Sequence, residues 1–302
     1  MKRGPEEKFL KIDALTVRYL EQGHGPPVLF LHGASLGSSA DVFLGLLDRF
    51  ADAGFCALAL DIPGYGLSDV PARQSRPVQR QLIRSFVAAL GLSKVALIAH
   101  SRAGGDAVLL ALEAPDSYRA IVILGTGYLL PPASDQQINQ LAALQARIDR
   151  RLAAHEPTLD DVRKLLEADL FNHALISKDV LDLRHSRSIG KNFIAHVARQ
   201  QEEGFEITDQ FGTPLWQRVR DVKPPVMLIY GKDDRGNAAA RAAALKSQYP
   251  DTNIHIVPNC KHMVPWDAAD LVVELVVPFL RSNGEGQPIL PEGSKQSSRG
   301  AN

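Results

Sequence analysis

The sequence predicts an α/β fold, with a mostly parallel central sheet, helices on both faces and a helical lid inserted after the sixth strand. Three observations carry this prediction. Short runs that are apolar nearly throughout recur along the chain, as strands buried on both faces require. They alternate with amphipathic helical patterns, which makes right-handed β-α-β crossovers the natural connection. The alternation then stops across residues 129–222, where only helical patterns occur, and it resumes afterwards.

The opening KFLKIDALTVRYLEQG reads as an antiparallel hairpin added to the sheet. VLFLHG (Val28–Gly33) is a buried strand ending in a turn, and CALALD (Cys56–Asp61) is the next. RQLIRSFVAALG (Arg80–Gly91) has a helical apolar stripe. KVALIAH (Lys94–His100) and AIVILG (Ala120–Gly125) are strands on either side of a helix, AGGDAVLLALEA. The lid shows three helical patterns: DQQINQLAALQARIDRRLAAH, TLDDVRKLLEADLF and SKDVLDLRHSRSIGKNFIAHVARQ. Thr158 and Ser177 stand where N-caps of the second and third would stand. PVMLIYG (Pro225–Gly231) and NIHIVP (Asn253–Pro258) complete the strands, with the helix AAARAAALKSQYP between them. The expected organisation is a core of residues 1–128 and 223–282, a cap of 129–222, and a tail of 283–302. The tail is rich in Gly, Ser, Pro and Gln and is expected to be disordered.

Composition narrows the function. The 302 residues are 45% hydrophobic and carry 34 basic and 34 acidic side chains, so no excess of positive charge points to nucleic acid or an anionic membrane. No apolar run has the length of a membrane helix, and the N-terminus lacks the apolar core of a signal peptide. The two cysteines, Cys56 and Cys260, form neither a metal motif nor a disulfide framework, and reduced thiols in a cytoplasmic protein are expected. The expected partner is a small-molecule substrate; nothing in the sequence argues against a homodimer.

IAHSRAGGDA (Ile98–Ala107) holds the most informative residue, Ser101, between a buried strand and a helix. Small residues two positions away on either side, Ala99 and Ala103, suit a sharp elbow in which backbones approach closely. A helix N-cap is the plain alternative for Ser101. GKDD (Gly231–Asp234) offers a carboxylate at the C-terminal end of a strand, where open α/β sheets place their sites. PNCKHMVPW puts His262 in the loop after the last strand, where an ordinary loop histidine is the competing reading. HGASLG, after the Val28 strand, supplies backbone N–H groups suited to an oxyanion hole.

Ser, then Asp, then His is the chain order of α/β-hydrolases, and from Lys8 to Arg281 the chain resembles that superfamily. DIPGYGLSD (Asp61–Asp69) matches its D-x-P-G-x-G-x-S turn. The resemblance implies the α/β-hydrolase fold, Ser101 as nucleophile, His262 as base and Asp234 as orienting acid. The spacing G-x-x-D favours Asp234 over its neighbour Asp233. The N–H groups of Ala34 and Arg102 would form the oxyanion hole, His32 would organise its loop, and no metal or organic cofactor is required. A serine nucleophile also sets the chain apart from epoxide hydrolases and haloalkane dehalogenases.

HALISKDVLDLRHSRS (His173–Ser188) resembles the lid segment of meta-cleavage-product hydrolases, which break a C–C bond in ring-fission dienoates. That resemblance implies Arg184, Trp266, Ser35 and His100 as substrate-binding residues. A planar guanidinium holds a carboxylate with two parallel bonds. Trp266 matches the second tryptophan of H-W-x-x-W-E, and Asp267 takes the acidic position. The plain alternatives are a solvated lid arginine and a packing tryptophan. The chain departs from that family at the elbow, where His100 and Arg102 replace asparagine and methionine, and in the oxyanion loop, where Ser35 and Leu36 stand. Arg102, a cation in a helix's first turn, opposes the helix dipole. Asp106 would offset it, and its partner is either a substrate carboxylate or solvent.

Three functions are compatible with these residues: a C–C hydrolase of a 2-hydroxy-6-oxohexa-2,4-dienoate, a carboxylesterase or lactonase with the same triad, and a ligand-binding receptor or interaction protein on a hydrolase scaffold.

Overall fold

In the computed structural model, residues 4–132, 154–202 and 212–283 are described. Their strands are β1 (Glu6–Ile12), β2 (Leu15–Gln22), β3 (Pro27–Leu31), β4 (Cys56–Leu60), β5 (Val95–His100), β6 (Tyr118–Leu124), β7 (Val226–Gly231) and β8 (Asn253–Val257). They form one sheet in the order β1-β2-β4-β3-β5-β6-β7-β8. The expected hairpin is present: β1 and β2 are antiparallel across a tight link in which Asp13 adopts a left-handed backbone, a conformation Asp tolerates. β2 also meets β4 antiparallel, and all later pairings are parallel. The edge strand β1 carries Glu6, Glu7, Lys8 and Lys11, charges that discourage pairing with another chain.

The helices are α1 (Leu44–Asp52), α2 (Arg76–Ala89), α3 (Ala103–Glu113), α4 (Leu159–Asp169), α5 (Lys178–Ser186), α6 (Lys191–Glu202), α7 (Leu215–Arg218), α8 (Ala238–Gln248), α9 (Val264–Asp267) and α10 (Ala269–Ser282). Every residue of β4 and β5 is buried, which explains their unbroken apolar character. Alternate strand residues face opposite ways. Leu29, Leu31, Leu58, Leu97 and Ala99 pack with Phe86 of α2, Leu110 of α3 and Leu245 of α8. Val28, Phe30, Ala57, Ala96 and Ile98 pack with Phe50 of α1 and Val276 of α10 on the other face. Helix α2 starts one turn earlier than its apolar stripe suggests, because extended Ser75 precedes it and Pro77 fits the first turn.

The turn at Asp61 is built around a buried carboxylate. It accepts from the Ala40 and Leu67 N–H groups at 2.6 and 2.7 Å and lies 3.1 Å from the Arg18 guanidinium. Ser68 Oγ closes the turn by donating to the Asp61 carbonyl at 2.7 Å.

Between β6 and β7 the described elements are all helical. The first expected lid helix, within 135–155, falls almost wholly outside the described residues, as does the tail beyond Asn283. Thr158 caps α4 in a reciprocal box with Asp161, and Ser177 Oγ accepts from the Val180 N–H at 3.2 Å to cap α5. The third expected pattern is two helices rather than one. The first ends at Ser186 with Arg187 as its C-cap, and Gly190, in the left-handed region, re-aims the chain into α6. Helix α6 is held to the Asp61 turn by polar contacts. Lys191 Nζ donates to the Ser68 carbonyl at 2.8 Å, Asn192 Nδ2 to Gly66 at 3.0 Å and Arg199 Nη1 to Gly64 at 2.7 Å. Among the described residues no helix is long and apolar enough to cross a membrane.

Candidate active site

The strand order brings the singled-out residues to one end of the sheet. β5 lies between β3 and β6, and the loops after β3, β5, β7 and β8 share the carboxyl edge. Ser101 follows β5 directly with φ of +56°, a left-handed backbone that costs an L-residue roughly 1–2 kcal/mol. The Ser101 N–H donates to the Leu124 carbonyl at 2.8 Å, and the Ser101 carbonyl accepts from Gly104 at 3.0 Å, so sheet and helix together impose this turn. Ser101 is therefore an elbow rather than an ordinary cap.

Close packing explains the small residues around it. A Cβ on Gly104 would lie 2.7 Å from Ile123 Cγ2, which lets α3 sit hard against β6. Buried Ala99 and Ala103 fill the positions that flank the serine. A Cβ on Gly33 would lie 2.9 Å from Ser101 Cβ, so the Gly33–Ala34 peptide runs directly against the serine side chain.

Ser101 Oγ donates to His262 Nε2 at 2.8 Å, and His262 Nδ1 donates to Asp234 Oδ2 at 3.2 Å. Asp234, not Asp233, is the acid that meets the imidazole. Burial drives the Asp234 carboxyl upward, but the His262 hydrogen bond and the charge of Arg235 outweigh it and hold the group below the usual carboxylate range. His32 anchors the loop after β3: its Nδ1 donates to the Gly33 carbonyl at 2.7 Å, and its Nε2 accepts from the Ile62 N–H at 3.1 Å. Burial pushes its pKa down to about 3, so the ring is neutral.

Arg184 reaches in from α5. Its Nη2 donates to Ser35 Oγ at 2.8 Å, next to Ala34. The side chain is buried, burial lowers its pKa to about 10 against the charges of Asp169 and Asp41, and among the described residues it has no ion pair. A buried, unpaired guanidinium costs several kcal/mol, so this position favours an incoming anion.

The expectations for His100 and Arg102 are corrected. His100 does not present itself to a substrate: it is 3% exposed, its Nε2 donates to the His262 carbonyl at 2.9 Å, and burial together with nearby His262 takes its pKa to about 3. The Arg102 side chain points neither into an open pocket nor into solvent; it is buried and donates to Tyr65 Oη at 2.9 Å and Gln79 Oε1 at 2.8 Å. Asp106 receives Arg76 and Arg80 instead. Trp266 Nε1 donates to the Val42 carbonyl at 2.7 Å, and its ring lines a neighbouring cavity of about 720 Å³ with Val180, Leu183 and Arg184, whose lining does not include Ser101 or His262.

Cys260, two residues from His262, is buried and its thiol is pushed up by desolvation, so it is no reactive thiolate. Sequence reasoning missed Asp169, whose carbonyl accepts from the Met263 N–H at 3.0 Å and whose carboxylate pairs with Arg235 at 3.0 Å. No local pattern marks it, since both partners lie far away in sequence.

The chain is 26% identical over 276 residues to 2-hydroxy-6-oxo-6-phenylhexa-2,4-dienoate hydrolase of Burkholderia cepacia, covering 87% of this chain and 90% of the relative. It is 25% identical over 280 residues to 2-hydroxy-6-oxononadienedioate/2-hydroxy-6-oxononatrienedioate hydrolase of Burkholderia vietnamiensis, covering 88% and 91%. The solved structure of 2-hydroxy-6-oxo-6-phenylhexa-2,4-dienoate hydrolase from Rhodococcus sp. strain RHA1 superposes with a TM-score of 0.75 at 17% identity, covering 92% of this chain and 99% of that one. The family model for the alpha/beta hydrolase fold matches residues 26–269. With the sheet order, the elbow at Ser101 and this match across most of its length, the chain belongs to the α/β-hydrolase fold family.

Proposed function

We propose that the chain is a serine hydrolase that cleaves a C–C bond in a ring-fission product of the 2-hydroxy-6-oxohexa-2,4-dienoate type. The relatives named for that activity support the reaction class. The observation that carries it is Arg184, a buried guanidinium without an ion pair among the described residues, 2.8 Å from Ser35 in the oxyanion loop.

In this reading Ser101 Oγ is the nucleophile, His262 Nε2 takes its proton, and Asp234 fixes the tautomer and stabilises the imidazolium. The dienol first ketonises. Ser101, or a water activated by His262, then attacks the distal carbonyl carbon. The N–H groups of Ala34 and Arg102 receive the oxyanion, each such donor being worth about 3 kcal/mol in the transition state. The C5–C6 bond breaks and its electron pair passes through the enone to the C2 oxygen, which takes the proton, so that half leaves as the hydroxydienoate. The distal half leaves as the carboxylic acid, directly after attack by water or after water hydrolyses the acyl group from Ser101. Arg184 clamps the 2-oxo and carboxylate end. The helical insert 129–222 acts as a lid that brings Arg184 to the site and excludes water.

A carboxylesterase or lactonase would use the same triad, and the departures at Ser35, Leu36 and His100 favour that second reading. Arg184→Lys separates the two. It keeps the charge but loses the planar fork, so dienoate kcat/KM is expected to fall about 10- to 100-fold, the loss of about 1.5–3 kcal/mol from one charge-assisted contact. Ester turnover should stay within a few-fold of the parent in the same variant. Equal losses on both substrates would remove Arg184 from substrate recognition.

A further inference from the structure

The loops that carry the acid and the base are fastened to the helical insert at one short segment, residues 167–172. On the base side, the Met263 N–H donates to the Asp169 carbonyl at 3.0 Å, and Lys261 Nζ donates to the Glu167 carbonyl at 3.1 Å. On the acid side, Arg235, the neighbour of Asp234, pairs with the Asp169 carboxylate at 3.0 Å.

Asp267 closes the arrangement. One carboxylate oxygen accepts from the Phe171 N–H at 2.8 Å and the Lys261 N–H at 3.0 Å, while the other accepts from the Asn172 N–H at 3.0 Å. Three backbone donors, two from the insert and one from the base loop, thus meet on one side chain. An ionised carboxylate suits this demand because both oxygens only accept. An amide would turn an N–H₂ group toward backbone N–H.

On the core side, His100 Nε2 holds the His262 carbonyl at 2.9 Å, and the Asp233 N–H donates to the Cys260 carbonyl at 2.9 Å, tying the two loops together. The base loop is therefore gripped from the sheet by His100 and from the insert through Asp267 and Asp169.

We infer that Asp267 is a positioning residue of the catalytic centre: through its three backbone donors it locks the base loop to the insert and so sets the distance between His262 and Ser101. The inference rests on the triad reading above. Its consequence is that the insert does more than cover the site. Its 167–172 segment is part of the frame that holds acid and base in register.

The test uses Asp267→Asn, Asp267→Glu and Asp267→Ala in the full chain, with Ser101→Ala beside them. Turnover is read as separate kcat and KM, and Ser101 reactivity as the rate of phosphonylation by a fluorophosphonate, both per folded molecule. A 1 Å misplacement of a catalytic group can cost about 10²-fold. Asp267→Asn and Asp267→Ala are therefore expected to lower kcat and the phosphonylation rate together, about 10- to 100-fold, with KM little changed. Asp267→Glu, which keeps both accepting oxygens, should recover most of the loss. A purely structural role would lower thermal stability and leave both rates of the folded protein intact. Parent-like kcat and phosphonylation in Asp267→Asn, with Ser101→Ala inactive, overturns the positioning role alone. Retained turnover in Ser101→Ala overturns the triad and the inference with it.

Discussion

Ser101 holds a left-handed backbone that its own side chain does nothing to favour, at a cost of roughly 1–2 kcal/mol. The surrounding sheet and helix impose it, so removing the hydroxyl should not relax it. Ser101→Ala and His262→Ala are each expected to lose about 10³-fold or more in kcat while keeping the parent's circular dichroism and melting temperature within a few degrees. Near-parent turnover in Ser101→Ala on every substrate would remove the serine from the chemistry. The meeting of Ser101, Asp234 and His262 was legible in the sequence because each sits just past an apolar run, in the chain order that the α/β-hydrolase resemblance implies. His100 was not legible as a loop anchor, because its partner is a backbone carbonyl 162 residues away. The Arg102 side chain was unreadable for a similar reason: Tyr65 and Gln79, its acceptors, belong to a turn and a helix that sequence spacing does not bring together.

At the scale of elements, the elbow depends on how closely α3 approaches β6. Gly104→Val would place its side chain against Ile123 and Thr126, and overpacking of this kind costs about 1–3 kcal/mol. The expected result is a lower urea midpoint together with reduced turnover, since the helix that follows Ser101 must shift. An unchanged midpoint would mean that α3 is free to slide. In the insert, Thr158→Ala removes a reciprocal cap and should cost about 1 kcal/mol, read from the same urea curves. The parallel strands were legible because burial on both faces leaves a continuous apolar signature. The split between α5 and α6 was not, because the apolar pattern runs on through Arg187–Gly190, where the backbone leaves one helix at Ser186 and turns through left-handed Gly190 into the next.

For the whole molecule, buried neutral histidines link stability to pH. Burial is the leading cause that lowers His32 and His100 to about 3 and His196 to about 4. In the unfolded chain each would titrate near 6.5. Their folded pKa values are depressed, so the stability they contribute is fully present above pH ~6.5 and is lost as pH falls toward the folded values. Each histidine then removes up to about 1.4 kcal/mol per pH unit, because the unfolded state binds a proton the folded state refuses. Asp41, raised by burial but lowered further by Arg18 and Arg187, adds to the loss only at lower pH. Chemical denaturation at pH 7.5, 6 and 5 should therefore show a progressive fall in stability, steepest below 6. A midpoint that holds constant over that range would contradict the burial of these rings.

The central claim is that this α/β-hydrolase breaks a C–C bond, and a paired assay at one enzyme concentration tests it most directly. Loss of the coloured dienolate of a 6-phenyl or 6-alkyl 2-hydroxy-6-oxohexa-2,4-dienoate is followed beside release of p-nitrophenol from an ester. Dienoate turnover well above ester turnover is the expected result. Ester turnover with a silent dienoate would contradict the claim and make the enzyme an esterase, and tight dienoate binding without turnover of either substrate would make it a receptor.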